Sequence, residues 1–434
     1  MRRARIAAVL MCFVGVFLVA ASPAGAVQLL TAANITRDDN GDNEVDIAIN
    51  PTNPQNLIAA WNDYGPGNSC GLGYSMDGGI TWHTSWLRGI TPEGGNPTFD
   101  YGAGDPSVGF LNGGTAIVSC AAWGATRSQP SAIYMARSTN GGVTWGNLQQ
   151  ISFGQSIGHL QDHQMMTIDH YNNRVLVGYT EWNGYRAVSF AKISSDGGLT
   201  YQGPYESAAD RTRNSVDEFD VSLAGAPDGT VYATTGIWQH VTEWNESEVV
   251  VSQMRPGETQ FTRTVTVRDL VPAPFQLPGA LWRSSMQASI GVEADGTVDL
   301  LTGDYVTGNL DLYLARSTDH GLTFPQQTNL THDPSDEVMP WLSVRPEGRL
   351  DIISYDYHRD TSLMDVFYGQ VTDGATTMSR TYIATGINGN NQPPGSTPFM
   401  GDYIGIDSLA NRVALSWTGN GPASQDAFST VLAP

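Results

Sequence analysis

The chain has 434 residues, of which 43 are acidic and 22 basic, and its formal net charge is −21. An acidic excess of this size repels nucleic acid and anionic membrane surfaces, so neither is expected as a partner. The length exceeds that of an average single domain, but closed repeat architectures grow by adding units.

The first 26 residues have the features of a secretory leader. Three arginines precede an apolar run from Ile6 to Ala21, and Ala24-Gly25-Ala26 offers a small-residue cleavage site. The apolar run is short and no second one follows, so a membrane anchor is not expected. The sequence therefore predicts a secreted, extracellular protein with one domain over residues 27–434.

A repeat with two strands and a tight turn occurs seven times, at starts about 60 residues apart. Each copy has an acidic or polar start, an apolar strand, a turn such as Pro-Asp-Gly or Asn-Gly-Gly, and a second apolar strand that ends near an aromatic residue. Continuous apolar stretches indicate inner strands that are buried on both faces. The copies start at Glu44, Asp105, Asp162, Asp217, Ser285, Asp336 and Gly401.

A second motif follows four of these copies and has the chemistry of a turn. It reads YSMDGGITW at Tyr74–Trp82, and it returns at Ala136–Trp145, Lys192–Tyr201 and Ala315–Phe324. Its Asp or Asn side chain accepts backbone N–H bonds, its Gly adopts positive φ, and its Thr and aromatic residue begin the next strand.

This motif resembles the Asp-box, the bacterial neuraminidase repeat of sialidase-type β-propellers. The resemblance implies an all-β propeller of four-stranded antiparallel blades, with each box between the third and fourth strands, on the face opposite the active site. Fold markers rather than catalytic groups are then expected at Asp77, Asn140, Asp196 and Asp319. Seven inner-strand copies favour seven blades, with six as the alternative. The segment VQLLTAANIT after the leader would supply the outer strand that closes the last blade.

In such a propeller the inner strands begin, and the second strands end, around one central funnel. Carboxylates mixed with aromatic rings at those ends are typical of sugar-binding sites. The acidic residues that open the copies are Glu44, Asp105, Asp162, Asp217, Glu218, Asp336, Glu337 and Asp402. The first residue of each start can instead cap a neighbouring blade by accepting N–H bonds, and we favour this role for those first residues, which leaves out Glu218 and Glu337.

Positions that depart from the repeat are the better candidates for function. The predicted catalytic residues are Glu218, Glu337, Tyr403, His163, Glu181 and Asp304. The predicted substrate-binding residues are Arg283, Arg359, Trp182, Trp238, Tyr305 and Tyr357. Clustered carboxyl groups in a partly dry funnel can keep one proton donor beside an ionised partner.

The resemblance implies a sialidase-like exo-glycosidase that acts on glycans at this funnel. Sialidases hold the substrate carboxylate with three arginines, the first of them in a Phe/Tyr-Arg-Ile-Pro motif, which this sequence lacks. The arginines expected on the funnel face are Arg37, Arg211, Arg213, Arg283 and Arg359. One alternative is a polysaccharide lyase, in which His163 or Tyr403 acts as the base. A non-catalytic propeller that binds glycans or proteins is the other.

Two further features concern the stability of the domain. Cys70 and Cys120 are expected on adjacent blades at the same end, which predicts a disulfide in an oxidising compartment. Residues Asp38, Asn40, Asp42 and Glu44 place oxygen ligands at alternate positions, as calcium loops do, with a polar turn as the alternative. No cofactor is required by the sequence, calcium is the one candidate, and a monomer is favoured.

Overall fold

The structure is a computed structural model that describes residues 27–65, 68–124, 130–154, 159–183, 186–208, 216–239, 246–284, 286–372, 374, 376–390 and 398–434. Every regular element in these ranges is a β-strand, and none of the described segments is a helix long and apolar enough to cross a membrane. The predicted leader and the arginines at 211 and 213 lie outside the described residues.

The strands form seven four-stranded antiparallel sheets, which are the blades of a propeller. The first strand of the chain, β1 (Gln28–Asn34), belongs to the last blade. Blade 1 is β2 (Asp42–Ile49), β3 (Leu57–Asp63), β4 (Ser69–Ser75) and β5 (His83–Trp86). Blade 2 is β6 (Gly102–Phe110), β7 (Ala116–Trp123), β8 (Ser131–Ser138) and β9 (Gly146–Gly154). Blade 3 is β10 (His159–Asp169), β11 (Arg174–Asn183), β12 (Arg186–Ser194) and β13 (Gln202–Glu206).

The remaining blades repeat this order from the inside of the ring outwards. Blade 4 is β14 (Val216–Gly225), β15 (Val231–Gln239), β16 (Glu248–Met254) and β17 (Thr262–Asp269). Blade 5 is β18 (Ser289–Val292), β19 (Val298–Asp304), β20 (Asp311–Ser317) and β21 (Gln326–Asn329). Blade 6 is β22 (Asp336–Val344), β23 (Leu350–His358), β24 (Leu363–Thr372) and β25 (Thr377–Ile387). Blade 7 is β26 (Gly405–Leu409), β27 (Arg412–Asn420) and β28 (Gln425–Ala433), with β1 outermost.

The two ends of the chain close the ring in the last blade, which confirms the predicted seven-bladed closure. β1 pairs antiparallel with β28, in a register that runs from Gln28 opposite Ala433 to Asn34 opposite Phe428. The Asn34 amide also donates to the carboxylate of Asp426. The last blade thus joins two segments that are 392 residues apart in sequence.

The core lies between neighbouring blades, as expected for inner strands that are apolar on both faces. Ile58 and Leu72 of blade 1 pack with Val108 and Val118 of blade 2 in one cluster, and blades 5 and 6 share a similar one. Each fully buried aliphatic side chain of this kind contributes about 1.5–3 kcal/mol relative to exposure. Stability therefore comes from repeated interfaces between adjacent blades rather than from one central core.

Cys70 of β4 and Cys120 of β7 form a disulfide between blades 1 and 2. Their Cα atoms lie 6.5 Å apart, and both side chains are fully buried. The two cysteines are 50 residues apart in sequence, so the bridge restricts the unfolded chain over the segment that builds blades 1 and 2.

The four turn motifs lie between the third and fourth strands of blades 1, 2, 3 and 5. In the first, the Ser75 hydroxyl donates to Asp77 at 2.8 Å, and Asp77 accepts from the Thr81 hydroxyl at 2.6 Å and its N–H at 2.9 Å. These hydrogen bonds, those of Thr81 foremost, lower the pKa of Asp77 to about 2. The same contacts recur around Asp196 and Asp319. Asn140 accepts from Ser138 and from Thr144 N–H, and its amide donates to the Thr144 hydroxyl, so each motif satisfies its own polar groups.

Candidate active site

The inner strands share a backbone irregularity just after their start. In blades 1, 2, 3, 4 and 6 the register with the second strand shifts at this point, and the residue inside the bulge has a left-handed conformation with φ between 50° and 57°. Side chains other than glycine adopt this conformation at a cost of about 1–3 kcal/mol, and such residues concentrate at functional sites. The five residues are Glu44, Asp105, His163, Asp220 and Met339.

Four of these left-handed residues are titratable, and they line one cavity at the centre of the ring. The cavity has a volume of about 270 Å³, near the lower end of the usual range for small-molecule sites. It also receives Asp162, Glu246, Arg283 and Asp402. The bulges therefore turn successive carboxyl groups and one imidazole into the same space, on the face away from the turn motifs.

His163 lines the cavity and contacts Asp220, Gln287, Phe219 and Tyr403. It is 3% exposed, its Nδ1 lies 3.0 Å from Asp220 Oδ1, and its Nε2 lies 2.7 Å from the side-chain amide of Gln287. The ring also stacks on Phe219 and meets the edge of Tyr403. Burial alone would lower the pKa of His163, but the adjacent Asp220, together with more distant carboxylates, outweighs it and raises the pKa to about 10. A pKa this high favours the imidazolium at neutral pH, and in that form the Gln287 amide presents its oxygen, not its nitrogen, to the Nε2–H of His163.

Arg283 and Asp402 form the second charged pair of the cavity. The Arg283 guanidinium donates through two nitrogens to Asp402, with Nε at 2.7 Å from Oδ1, and it packs over the ring of Phe399. The Asp402 backbone N–H donates to Glu44 at 3.1 Å. Burial, followed by the charges of Asp105 and Asp402, raises the pKa of Glu44 well above its ordinary value.

Asp105 and Asp162 are the two carboxyl groups of the cavity that remain partly exposed. Burial, and next the charge of Asp162, raises the pKa of Asp105 to about 6. Asp162 accepts a hydrogen bond from Trp182 Nε1 at 2.9 Å, which orients its carboxylate. The two acids thus lie on neighbouring inner strands, one able to carry a proton near neutral pH and the other fixed by an indole.

A cluster of aromatic rings forms one wall of the cavity. Trp182, Phe219 and Trp238 contact each other with ring centroids 4.8–5.9 Å apart. Tyr64 and Tyr101 lie at the cavity edge and are 47% and 62% exposed. Rings of this kind can pack on the apolar faces of a sugar while the carboxylates accept from its hydroxyls.

Glu246 is a further acid that lines the cavity. It is 2% exposed, and burial, followed by the charge of Asp220, raises its pKa well above the ordinary value. Glu246 comes directly after residues 240–245, which lie outside the described ranges.

Four of the predicted site residues line this cavity, namely His163, Arg283, Trp182 and Trp238. The other eight do not line it, and each has a hydrogen bond or an ion pair with a neighbouring group. Glu218 accepts from Ser189 N–H, and Glu181 pairs with His159 at 2.9 Å. Asp304 is held by Arg268, and Arg359 by Asp336.

The other four predicted residues are also engaged away from the cavity. Glu337 accepts from the Thr331 hydroxyl at 2.6 Å, and burial raises its pKa to about 9. The Tyr403 hydroxyl donates to the carbonyl of Pro106 at 2.8 Å, and the Tyr403 ring contacts that of His163 in a T-shaped arrangement. Tyr305 contacts Arg359, and Tyr357 donates to Pro278 O.

Among the acidic starts, four accept a backbone N–H from a neighbouring blade, as the capping interpretation requires. Asp217 accepts from Ala187 N–H at 3.0 Å and Asp336 from Leu310 N–H at 2.8 Å. Asp105 accepts from His163 N–H at 2.9 Å and Glu44 from Asp402 N–H at 3.1 Å. Glu44 and Asp105 also line the cavity, together with Asp162 and Asp402. Sequence reasoning also missed Asp220 and Glu246. When the inner strands are aligned at the bulge, Asp220 falls at the same position as Glu44, Asp105 and His163, and this alignment would have indicated it.

A triad of arginines does not meet at this cavity among the described residues. Of the described arginines, Arg283 alone lines it, and Asp402 already neutralises its charge. Arg37 bonds the backbone of Asn34 at the ring edge, and Arg359 is held by Asp336.

The comparisons with known proteins show the fold. No protein-family model matches the chain, and no curated protein matches it in sequence. A GH93 α-L-arabinofuranosidase of Fusarium graminearum is similar in structure, with a TM-score of 0.54, 11% identity, and 93% of this chain and 98% of that chain covered. A PL25 ulvan lyase has a TM-score of 0.54 and 9% identity over 92% of this chain and 95% of that one. An uncharacterised protein of Dyadobacter fermentans has 15% identity and a TM-score of 0.51 over 94% of this chain and 99% of that one. At these identities the shared feature is the propeller itself.

Proposed function

We propose that the protein is a secreted glycoside hydrolase that acts on the end of an uncharged glycan, with Asp105 as proton donor and Asp162 as its ionised partner. The observation that carries the proposal is this pair of partly exposed carboxyl groups on neighbouring inner strands, under a wall of tryptophans. Similar propellers include an arabinofuranosidase and a polysaccharide lyase, which supports a carbohydrate substrate by analogy of fold.

The chemistry requires two acids in different protonation states. Glycoside hydrolysis uses one carboxylic acid to protonate the leaving oxygen and one carboxylate to attack or to activate water. Asp105, whose pKa is raised to about 6, suits the first task. Burial raises the pKa of Asp162 as well, but the charge of His163 and the hydrogen bond from Trp182 oppose this effect, and we assign Asp162 the second task. His163 and Arg283 then serve as positive groups that allow several acids to share the cavity.

The charge of the cavity favours a neutral sugar over sialic acid. A sialoside brings its own carboxylate, and among the described residues the cavity contains one arginine, already paired, beside several acidic groups. Sialidase specificity therefore has less support from the geometry than hydrolysis of an uncharged glycan. It stays a prediction, because the arginines at 211 and 213 lie outside the described residues.

The lyase reaction has less support because it needs a neutral base. His163 is protonated at neutral pH through its contact with Asp220. The Tyr403 hydroxyl is buried and donates to Pro106 O, and burial raises the pKa of Tyr403 well above its ordinary value. Neither group is ready to accept a proton from a uronate.

A hydrolysis screen tests the proposal. The wild-type protein is assayed on neutral arabino-, xylo- and gluco-oligosaccharides, on sialosides and on uronate polymers, with reducing ends and unsaturated products measured separately. We expect turnover of a neutral glycan, and a loss of about 10²-fold or more in kcat in Asp105→Asn and Asp162→Asn, each with an unchanged circular dichroism spectrum. Asp77→Asn, on the opposite face, is the matched control and should retain the activity.

Two outcomes would overturn the proposal. Turnover confined to sialosides or uronates would reject the neutral substrate, and binding without turnover across the screen would indicate a glycan-binding propeller. Secretion is tested separately, by expression with the leader and N-terminal sequencing of the exported protein. We expect the exported chain to begin at Val27, and retention of the leader would contradict this.

A further inference from the structure

The seam between blades 7 and 1 contains buried acidic groups that the proposed hydrolase does not use. Here the segment from β1 to β2 passes the start of β28, and Asp42 opens β2. Asp42 and Asp426 are both 0% exposed, and Ser424, in the turn before β28, is 1% exposed. The seam therefore places two carboxyl groups from opposite ends of the chain in one dry region.

The oxygens of these residues lack partners. Both carboxylate oxygens of Asp42, Oδ1 of Asp426 and Oγ of Ser424 are buried without a hydrogen bond to any described residue. The Thr36 hydroxyl lies near Asp42 and lowers its pKa, yet the contact does not have hydrogen-bond geometry. Buried polar oxygens are normally satisfied, and leaving a carboxylate unpaired costs several kcal/mol, so four such atoms in one region need an explanation.

The neighbouring atoms place the start of β2 against the turn before β28. A Cβ on Gly41, the residue before Asp42, would lie 3.3 Å from Ser424 Oγ, and the charge of Asp426 acts on Asp42. Burial, and the charges of Asp38, Asp63 and Asp426, raise the pKa of Asp42 to about 8. Within the described ranges, no lysine or arginine pairs with Asp42 or Asp426.

The donor set consists of hard oxygens alone. Carboxylate and hydroxyl oxygens without nitrogen or sulfur ligands favour calcium or magnesium over zinc or copper, and calcium accepts six to eight oxygens in flexible geometry. We propose that Asp42, Asp426 and Ser424 bind a calcium ion at the seam between the first and last blades. Asp38 and Asp63 add negative charge around it.

This site differs from the loop that alternation in the sequence indicated. The side chain of Glu44 leaves the seam, because its left-handed bulge turns it into the central cavity, where it accepts from Asn62 at 2.7 Å. Asp426, far away in sequence, takes its place. The ion would therefore connect β2 to the turn before β28, across the junction that closes the ring.

A second acidic group in the protein supplies the control. Oxygens of Asp333, Glu337 and Asp356 lie within 4.8 Å of one another, but the guanidinium of Arg380 contacts all three side chains. Arg380 therefore already supplies this second group with a positive charge, which Asp42 and Asp426 do not have. Asp333→Asn removes an acid of the same type without touching the seam.

The experiment compares the melting temperature of the mature chain after EDTA treatment and after addition of millimolar CaCl₂. We expect calcium to raise the melting temperature of wild type and Asp333→Asn, and to leave Asp42→Asn and Asp426→Asn unchanged. In EDTA, Asp42→Asn should melt no lower than wild type, because it replaces a buried acid that has no counter-ion by a neutral amide of the same shape. A purely structural role for Asp42 would instead lower the melting temperature equally in both buffers.

Direct binding is measured by calorimetric titration of the EDTA-treated protein with CaCl₂ and, separately, MgCl₂. One calcium site per chain that disappears in Asp42→Asn supports the proposal. Absence of calcium binding in wild type, or binding that survives in both Asp42→Asn and Asp426→Asn, would overturn it. Glycan turnover does not enter either measurement, so the result is independent of the proposed hydrolase activity.

Discussion

The ion pair between His163 and Asp220 predicts how the stability of the propeller depends on pH. The perturbation is His163→Gln, which keeps an amide near Gln287 but cannot carry a charge. His163 has a pKa of about 10 in the folded protein, against about 6.5 in an unfolded chain. Because the folded pKa is the higher one, the stabilisation is fully present below pH 6.5 and is lost as the pH rises through 10.

The magnitude follows from the size of this shift. Each pKa unit corresponds to about 1.4 kcal/mol, so protonated His163 contributes about 5 kcal/mol below pH 6.5. Between pH 7 and pH 9 the unfolded chain has lost its proton while the folded protein still holds one. Over this interval the contribution falls by about 2–3 kcal/mol.

Urea unfolding at pH 7 and pH 9 measures the effect. The difference in unfolding free energy between wild type and His163→Gln should be about 2–3 kcal/mol larger at pH 7 than at pH 9. Asp220→Asn should remove the same pH dependence, and the double variant should add little to it, because the two groups share one interaction. A difference between wild type and His163→Gln that is equal at the two pH values would refute a buried imidazolium.

Three other predictions concern stability in urea. Replacing Cys70 and Cys120 by alanine should lower the unfolding free energy by about 4 kcal/mol, from a sequence separation of 50 residues, and an unchanged value would contradict the disulfide. Arg345→Met should cost about 3–5 kcal/mol, because it leaves the buried Asp351 carboxylate without its counter-ion. Adding Asp351→Asn should recover part of that loss, and no recovery would count against the ion pair. Asp319→Ala should cost about 1 kcal/mol through the lost turn contacts and leave glycan turnover unchanged. A loss of turnover would mean that the motif face takes part in the chemistry.

The blade repeat was predictable because its signals are local. Turn residues such as Pro-Asp-Gly fix each hairpin, and apolar runs fix which strands are inner. The N-terminal strand could be assigned to the last blade because that blade had three strands at most. None of these inferences requires knowledge of where an individual side chain points.

The site was only partly predictable because its residues depend on the bulges. A bulge with a left-handed residue reverses which face the next side chain takes, and apolar alternation does not reveal it. Glu44 and Asp105 therefore face the cavity, although both occupy the position assigned to blade caps. Glu218 shows the converse error, since it departs from the repeat but accepts from the neighbouring blade. Only the closed ring shows which acids share one space.

The pairing of β1 with β28 has a mechanical consequence. Gln28 lies opposite Ala433, so the ends of this strand pair leave the ring side by side. A force that pulls on both ends acts across the strands and separates their hydrogen bonds one pair at a time, instead of loading them all in shear. Under such a force the ring should open first by separation of β1 from β28. Heat acts on all seven blade interfaces at once, so thermal stability should not reveal this weak point.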